Sequence, residues 1–385
     1  MKKNGFLLLL IAAFLCLPAA GRATDEKKAF STHPITNQGR KWRIGYYEGG
    51  DYSNYQKYLA AMTRGLMDLG WVDPGNVIPE NLTTGQLWAH LSTTLKSDYI
   101  EFVRDGFYSA GWDEATRKKT TEALLVRLAG VGDIDLMLAM GTWAGKDLAT
   151  NRHITNTMVI STSDPVGSGI INSAGDSGLD HVHARVDPAR YERQVQIFHD
   201  TVGFKKLGIA YEDSVVGKSY AAVDTIEKVA KERGFELVTC HTLGDTADEK
   251  TSGQSVVQCF QQLASRVDAI YVTVQSGINE KSIPDLVKIA NKHKIPTFSQ
   301  FGSKEVQNGF LMSISRAGDF KPEGIFLAAT AAQVFNGAKP RQLNQVFEES
   351  PNIAINLKTA EAIGFYLNAD LLAASDEIYR DVRMP

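Results

Sequence analysis

Aromatic and small polar residues recur at the ends of the strand-like segments of this sequence. The first segment ends at Tyr46 and Tyr47, and the alternation along a strand predicts that one ring faces a cleft while the other is core. Amides, hydroxyls and flat rings suit reversible hydrogen bonding better than bond making. Residues of the same kinds follow three later segments: Tyr211, Gln275 with Ser276, and Gln300 with Phe301.

Two further clusters follow strands in the first half of the chain. Gly141, Thr142 and Trp143 join a strand to the start of a helix, where exposed backbone N–H groups bind anions such as a carboxylate. Thr142 could equally act as an ordinary helix cap. Ser163 and Asp164 form the second cluster, and Asp164 either binds a cationic group or caps the following turn. Together with the strand-end residues, these clusters form the predicted ligand-binding set.

The motifs of several enzyme classes are missing from the sequence. It has no G-x-x-x-x-G-K-[ST] loop, no G-x-G-x-x-G fingerprint, no G-x-S-x-G elbow and no H-E-x-x-H pair. His181 and His183 would share one face of a strand and could begin a metal site, but polar loop or hinge residues are the simpler interpretation. We therefore predict no catalytic residues, no metal site and no cofactor, and a protein that binds its ligand without transforming it.

The composition is that of an ordinary globular protein. The chain has 385 residues, which suits two domains of roughly 150 residues each. Its formal charge is −3, and it contains no basic run. A mildly acidic chain of this kind lacks the electrostatic footprint of a nucleic-acid-binding protein, so nucleic acid is not an expected partner.

Apolar strands and amphipathic helices alternate along most of the chain. The buried run at residues 136–140 leads into a helix, and the run at 206–211 is followed by a helix over 219–233. Strict alternation of this kind is typical of parallel sheets covered on both faces. We predict the α/β class, with two doubly wound Rossmann-like lobes whose strand ends border a ligand site.

The lobes are predicted to exchange segments of chain. A stretch rich in Gly, Ser and Asp at residues 164–177 has the composition of a crossover. We assign residues 41–163 and 303–338 to lobe 1, and residues 164–302 and 339–385 to lobe 2. These crossings predict a hinge of several strands, and two independent domains on a string are the alternative.

The N-terminus has the three-part pattern of a secretory signal peptide. Lys2 and Lys3 precede an apolar run at residues 6–17, which is too short to span a bilayer, and small residues follow it. We predict a signal peptide at residues 1–23, a flexible leader at 24–40 and a soluble periplasmic protein. An uncleaved anchor is the alternative.

Two cysteines, Cys240 and Cys259, remain after the predicted cleavage. Cys240 ends a predicted strand, and Cys259 lies in the helix that follows, so the two can come close. In an oxidising compartment they either form a disulfide or stay as buried thiols that behave as small apolar residues.

Four short segments carry a family resemblance. They are STSDPV at 161–166, VDAIYV at 267–272, KIPTFS at 294–299 and INLKTA at 355–360. Together they resemble the periplasmic substrate-binding proteins of ABC transporters, in the family that includes the tryptophan-import type. The resemblance spans the chain from about residue 42 to the end. In similar proteins an acid suited to an ammonium group often stands where this chain has Gln275.

The resemblance implies a type I periplasmic binding protein fold, whose lobes close on a ligand and deliver it to a permease in the inner membrane. It also implies amino-acid-like ligands, often aromatic ones. We expect a monomeric, extracytoplasmic solute-binding protein of an ABC importer that binds a small polar or aromatic metabolite. A ligand-sensing module of a membrane signalling protein would use the same cleft, and a secreted enzyme on this fold is a third possibility.

Overall fold

The computed structural model describes residues 30–243, 248–314, 320–348 and 351–384. The predicted signal peptide and residues 24–29 of the predicted leader lie outside these ranges. None of the helices in the described ranges combines the length and the apolar character that crossing a bilayer requires.

Lobe 1 is built on a parallel sheet. Its strands are β1 (Trp42–Glu48), β2 (Ile100–Ser109), β3 (Leu136–Met140), β4 (Asn156–Ile160) and β5 (Val182–Ala184). The helices between them are α1 (Ser53–Asp68), α2 (Thr84–Thr94), α3 (Glu114–Gly130) and α4 (Gly141–Leu148). The five strands lie in the order β2-β1-β3-β4-β5, and every pair is parallel. Strand β3 is buried on both faces, which explains its uninterrupted apolar sequence.

Lobe 2 contains the larger sheet. Its strands are β6 (Lys206–Tyr211), β7 (Glu236–His241), β8 (Ala269–Val272), β9 (Thr297–Ser299), β10 (Met312–Ser313), β11 (Ala354–Asn356) and β12 (Glu377–Tyr379). The seven strands lie in the order β12-β11-β10-β9-β8-β6-β7, in which β10 and β11 pair antiparallel and the other pairs are parallel.

The helices of lobe 2 cover both faces of this sheet in the doubly wound pattern. They are α5 (Arg190–Val202), α6 (Val215–Ala221), α7 (Val223–Arg233), α8 (Glu249–Leu263), α9 (Ile283–His293), α10 (Ser303–Gln307), α12 (Leu357–Ile363) and α13 (Ala369–Ala373). The remaining helix, α11 (Lys321–Phe335), belongs to lobe 1. Helix α11 packs directly on α1, where Gly65 and Gly324 let the two backbones touch. A Cβ at Gly324 would overlap the backbone of Ala61.

Two of the segments that connect the lobes are hydrogen bonded to each other. Val186 and Val346 form a parallel bridge, in which the Val186 N–H donates to the Gln345 carbonyl at 2.8 Å. The Phe347 N–H donates to the Val186 carbonyl at 3.0 Å. Strand β10 belongs to the lobe 2 sheet and α11 packs against α1, so the chain crosses between the lobes more than once.

The lobe boundaries differ from the predicted ones. Residues 164–184, predicted in lobe 2, lead into β5, which pairs with β4 in lobe 1. Residues 303–313, predicted in lobe 1, form α10 and β10, and Met312 pairs with Phe298 in the lobe 2 sheet. Residues 339–345 remain with lobe 1, where Arg341 pairs with Asp176 at 2.7 Å. A glycine-rich composition marks a loop, but long-range strand pairing decides which sheet the next strand joins.

Residues 30–40, predicted as flexible leader, are instead bound to lobe 1. The indole N–H of Trp71 donates to the Thr32 carbonyl at 2.8 Å, and that of Trp42 donates to the Ile35 carbonyl at 2.9 Å. The prediction was wrong for this part because a polar sequence can still be held through its backbone.

Cys240 in β7 and Cys259 in α8 form a disulfide, with their Cα atoms 5.6 Å apart. The helix that follows β7 returns along the sheet and brings the second sulfur back to the strand. The sequence left open either a disulfide or two buried thiols, and the structure contains the disulfide.

Candidate ligand-binding cleft

The carboxyl ends of the two sheets border a cavity between the lobes. An inner compartment of about 450 Å³ is lined by residues that follow β1, β2, β3, β4 and β5 in lobe 1 and β8 and β9 in lobe 2. An outer compartment of about 1060 Å³ continues from it, and both include Tyr52, Tyr58, Arg190 and Phe301. The inner volume lies in the range of small-molecule sites in proteins.

Aromatic side chains form much of the lobe 1 wall. Tyr52, Tyr55 and Tyr58 lie at the start of α1, three residues apart and therefore on one helix face. The rings of Tyr52 and Tyr55 meet edge to face, with centroids 5.2 Å apart. Trp112 lines the same compartment, and its indole N–H donates to the Asp51 carbonyl at 3.1 Å. These rings offer flat apolar area for a planar ligand.

Tyr46 and Tyr47, the predicted aromatic pair, both lie in the core and are 0 % exposed. The Tyr46 hydroxyl donates to Glu48 at 2.8 Å, and the Tyr47 hydroxyl donates to Asp147 at 2.8 Å. The expectation that one of them faces the cleft was wrong. Strand β1 is central in a sheet covered on both faces, so both alternating directions lead into core. The cleft begins beyond the strand end, where Tyr52 lies.

The ends of β3 and β4 place two threonines beside the inner compartment. Met140 and Ile160 are paired across these strands, and Thr142 and Thr162 each come two residues later. Both residues line the cavity, but Thr142 is only 2 % exposed and Thr162 only 5 %, and their hydroxyl oxygens are buried. Neither hydroxyl has a hydrogen-bond partner among the residues that the structure describes. Ser161 carries a positive φ of 60°, a strained backbone that turns the chain at this point.

The neighbours of Thr142 are placed differently. Gly141 has a positive φ, and a Cβ at this position would overlap the Tyr55 hydroxyl, so only glycine fits. Trp143 packs in the lobe 1 core against Trp112, with ring centroids 5.5 Å apart. The prediction that it lines the cleft was therefore wrong. Its ring also lies beneath the guanidinium of Arg117.

Ser163 lines the inner compartment, whereas Asp164 caps a turn. The Asp164 Oδ1 accepts from the N–H groups of Val166 and Gly167 at 3.1 and 2.8 Å. Of its two predicted roles, the structure therefore contains the turn cap. The Asp164 carbonyl also accepts from the Ser219 hydroxyl at 3.3 Å, which is a contact between the lobes.

The carboxamides on the lobe 2 wall are bonded within their own lobe. Gln275 donates from Nε2 to the Ala210 carbonyl at 2.7 Å, and its Oε1 accepts from Thr242 at 2.7 Å. Gln300 accepts from the Val274 N–H at 2.8 Å and donates to the Tyr220 carbonyl at 2.8 Å. Both residues line the cleft as expected, but their amides fasten loops together.

Ser276 and Phe301 also line the inner compartment from lobe 2. Phe301 meets Tyr52 of lobe 1 edge to face, with centroids 6.4 Å apart, so an aromatic contact bridges the lobes. Tyr211, in contrast, belongs to the lobe 2 core and lies 5.2 Å from the His241 ring. Its predicted place in the cleft was wrong because it is the last residue of β6 and not one beyond the strand.

Ionisable groups surround the cavity on several sides. Arg185 and Glu323 form a buried ion pair, with Nε and Oε1 2.7 Å apart. Arg190 borders both compartments from the start of α5. In the outer compartment, burial raises the pKa of Glu305 to about 7, although the Ser299 hydroxyl donates to it at 2.6 Å. Burial, and next the nearby Glu305, raise the pKa of Tyr52.

Sequence reasoning missed most of the aromatic and cationic lining. The missed residues include Tyr52, Tyr55, Tyr58, Tyr191, Tyr220, Arg185 and Arg190. Several of them lie in the first turn of a helix that follows a strand, a position that points at the cleft in doubly wound folds. Scanning the first turn of each such helix, and not only the strand end, would have found them.

His181 and His183 do not act as a pair. The His181 ring lies 4.8 Å from that of His153, whereas His183 Nε2 lies 2.9 Å from the Asn344 carbonyl oxygen at the hinge. Burial lowers the pKa of His183 to about 4. Within the described residues, no three His, Cys, Asp or Glu side chains come together as a metal site.

The chain is similar to solved structures of two-lobed binding proteins. A Streptococcus pneumoniae ABC domain in complex with L-Trp has 20% identity and a TM-score of 0.65, covering 88% of this chain and 99% of that one. A conserved domain protein from Vibrio cholerae has 16% identity and a TM-score of 0.65, covering 88% and 100%. No curated protein matches the chain.

A third similar structure is a ligand-free, open substrate binding protein with adhesive properties from Clostridium difficile. It has 19% identity and a TM-score of 0.59, covering 89% of this chain and all of that one. The architecture these proteins share with this chain is the type I periplasmic binding protein fold, as predicted. The family model of ABC transporter substrate binding proteins matches residues 110–379, more than half of the chain. The chain therefore belongs to the family of ABC transporter substrate binding proteins.

Proposed function

We propose that the protein is the periplasmic solute-binding component of an ABC importer, and that its cleft binds a small polar or aromatic, amino-acid-like metabolite. The observation that carries this proposal is the cavity of about 450 Å³ between the lobes, whose walls combine tyrosine rings with a few polar groups. Such a mixture is typical of sites that bury a small ligand and orient it through a few hydrogen bonds. The ligand is held reversibly and released unchanged to a permease.

The lobes would close around this ligand. Contacts from both lobes meet at the inner compartment, so a ligand that touches both favours the closed arrangement over the open one. Tyr52 and Phe301, one from each lobe, already meet across the cleft. One chain supplies both walls of the cleft, so we propose that a monomer is sufficient to bind the ligand.

The Cys240–Cys259 disulfide supports a location outside the cytoplasm, because such bridges persist in oxidising compartments. Edman sequencing of periplasmic protein from a full-length expression tests this location. We expect a mature N-terminus close to residue 24, and full-length protein retained in the cytoplasm would contradict it.

Native mass spectrometry of protein purified gently from the periplasm tests the ligand. We expect a mass excess that matches one small-molecule metabolite, since the inner compartment of about 450 Å³ lies in the range of small-molecule sites. The excess should disappear after unfolding and refolding without small molecules. A variant with Tyr55→Ala and Tyr58→Ala serves as the matched control and should retain none. A retained metabolite that the protein converts to a product would favour an enzyme instead.

A further inference from the structure

Helix α6 belongs to lobe 2 but contacts lobe 1. Its Val216 side chain is half-buried and packs against the apolar core cluster of lobe 1 that contains Ile170 and Ile171. The Ser219 hydroxyl, one helical turn later, donates to the Asp164 carbonyl of lobe 1 at 3.3 Å. One helix therefore supplies both an apolar contact and a hydrogen bond between the lobes.

The residues that make these contacts share one face of α6. Residues three or four apart are neighbours on a helix surface, and Val216, Ser219 and Tyr220 form such a set. The first two contact lobe 1, and Tyr220 lines the inner compartment. Val215 is 64 % exposed, and Lys218 is exposed as well. One face of α6 is thus turned to lobe 1 and the cleft, and the other to solvent.

Both contacting surfaces are held in place by their own lobes. In lobe 1 the turn after β4 is anchored in the core, since the Pro165 carbonyl accepts from the N–H of buried Ile170 at 2.9 Å. In lobe 2 the Ser214 hydroxyl caps α6 by accepting from the Gly217 N–H at 3.0 Å. A Cβ at Gly217 would overlap the Glu212 carbonyl oxygen, so the first turn packs tightly on the preceding residues. Preformed surfaces of this kind lose little conformational freedom when they meet.

Helix α6 is also fastened to the lobe 2 wall of the cleft. Its Tyr220 carbonyl accepts from Gln300 Nε2 at 2.8 Å, and Gln300 Oε1 accepts from the Val274 N–H at 2.8 Å. All three residues line the inner compartment. A movement of α6 away from lobe 1 would therefore carry this wall with it.

We propose that Val216 and Ser219 are positioning residues, which seat α6 on lobe 1 and so favour closed lobes, with Tyr220 at the cleft, even before a ligand binds. This rests on the solute-binding function proposed above. Both contacts are between protein groups, so they stabilise the closed arrangement by themselves. Because apparent affinity rises with the fraction of molecules already in the binding arrangement, these residues strengthen ligand binding without touching the ligand.

Pulsed electron paramagnetic resonance measures the distance between the lobes. Nitroxide labels are attached to Ser53→Cys in lobe 1 and Glu280→Cys in lobe 2, two positions that border the outer compartment. Mature protein with its native disulfide is freed of small molecules by unfolding in urea and dialysis without reductant. With no other substitution, we expect the shorter distance, that of the closed arrangement, to be the majority.

Val216→Asp should open the lobes, because closure would bury a charge against the lobe 1 core. The ratio of closed to open molecules should fall at least about tenfold. Ser219→Ala removes one hydrogen bond between the lobes and should lower the same ratio about two- to tenfold. This milder variant keeps the test decisive if Val216→Asp does not fold.

Val215→Asp is the matched control. It places the same charge in the same first turn of α6, so an effect of the charge on the helix itself is common to both variants. Its side chain faces solvent, and the distance distribution should stay that of the parent protein. Equal shifts in the two Asp variants would overturn the proposal, as would a parent protein that is mainly open.

Urea unfolding separates positioning from a structural role within lobe 2. If Val216→Asp and Ser219→Ala lower the stability but leave the distances unchanged, the two residues only support their own lobe and the proposal is overturned. The solute-binding function is unaffected by that result, because the metabolite retained in the native mass spectrum tests it independently. Shifted distances in a protein that retains no metabolite would uphold the contact and overturn the function.

Discussion

In lobe 2 the carboxamides that border the cleft are bonded to their own lobe, whereas in lobe 1 two buried hydroxyls at the cleft have no partner among the described residues. Gln275 and Gln300 hold loops in place, which makes that wall rigid before any ligand arrives. Thr142 and Thr162 instead carry the cost of a buried, unsatisfied polar group, on the order of 1–3 kcal/mol each. The difference teaches that the two walls of one cleft can satisfy their buried polar groups to different extents.

The largest expected effect concerns a covalent feature of lobe 2. Replacing both Cys240 and Cys259 by Ser removes a bridge between residues 19 apart in the sequence, which should lower the free energy of unfolding by about 3 kcal/mol. Urea unfolding of the oxidised protein measures this loss. Reduced wild-type protein is the control and should show the same loss. Unchanged stability, or loss of ligand affinity in the folded protein, would contradict a purely structural bridge.

The second effect is a pH dependence of lobe 2. Glu305 is 8 % exposed, and burial raises its pKa to about 7, above the ordinary value of 4.5. Between these values the folded protein holds a proton that the unfolded chain has released, so stability falls as the pH rises from about 4.5 to 7. Glu305→Gln cannot titrate. It should match the wild type near pH 4.5 and exceed it by on the order of 2–3 kcal/mol at pH 8.

Glu48→Gln provides the same comparison in lobe 1. Burial also raises the pKa of Glu48 to about 7, and the Tyr46 hydroxyl donates to its carboxylate. Chemical unfolding at pH 4.5, 6 and 8 measures each variant against the wild type. A constant difference across the three pH values would show that the carboxyl in question does not change protonation in this window.

The third prediction tests whether the lobe 2 amides are structural. Gln275→Ala leaves the buried Ala210 carbonyl and the Thr242 hydroxyl without that partner, which should lower the free energy of unfolding by about 2 kcal/mol. Ligand affinity, measured well below the unfolding temperature, should change little. A large loss of affinity with unchanged stability would mean that the amide contacts ligand, and the contrast between the lobes would then disappear.

The smallest effect is the aromatic contact between the lobes. Tyr52→Leu, Phe301→Leu and the double variant form a thermodynamic cycle for ligand affinity. Because edge-to-face rings contribute about 0.5–1.5 kcal/mol beyond their buried area, a coupling of that size is expected. The pair Tyr55→Leu and Phe301→Leu is the control. Additive effects of the Tyr52 and Phe301 substitutions would show that the contact does not contribute to closure.

Much of the architecture could be predicted from the sequence. Alternating strands and helices indicated two doubly wound lobes, and the buried run of β3 was identified from its uninterrupted apolar residues. The lobe boundaries could not be placed, because β5 and β10 are short and their assignment depends on distant partners. Local composition carries no information about such pairing.

The site was predicted in outline and wrongly in several residues. Thr142, Ser163, Gln275, Ser276, Gln300 and Phe301 line the inner compartment, whereas Tyr46, Tyr47, Trp143 and Tyr211 are core residues. The errors share a cause, since strand periodicity locates the sheet faces but not the point at which the chain leaves the sheet. That point depends on backbone turns such as those at Trp112 and Ser161, which have positive φ although neither is glycine.

The bridge between Val186 and Val346 joins two of the segments that connect the lobes, so in the closure proposed above the lobes would rotate about it. A rotation about this short bridge moves each atom in proportion to its distance from the bridge. The mouth of the cleft would therefore move farthest, and the Arg185–Glu323 ion pair would move least. Substitutions at the mouth can therefore alter how fast a solute enters and leaves without touching it. Substitutions beside this bridge would instead be expected to alter the angle between the lobes.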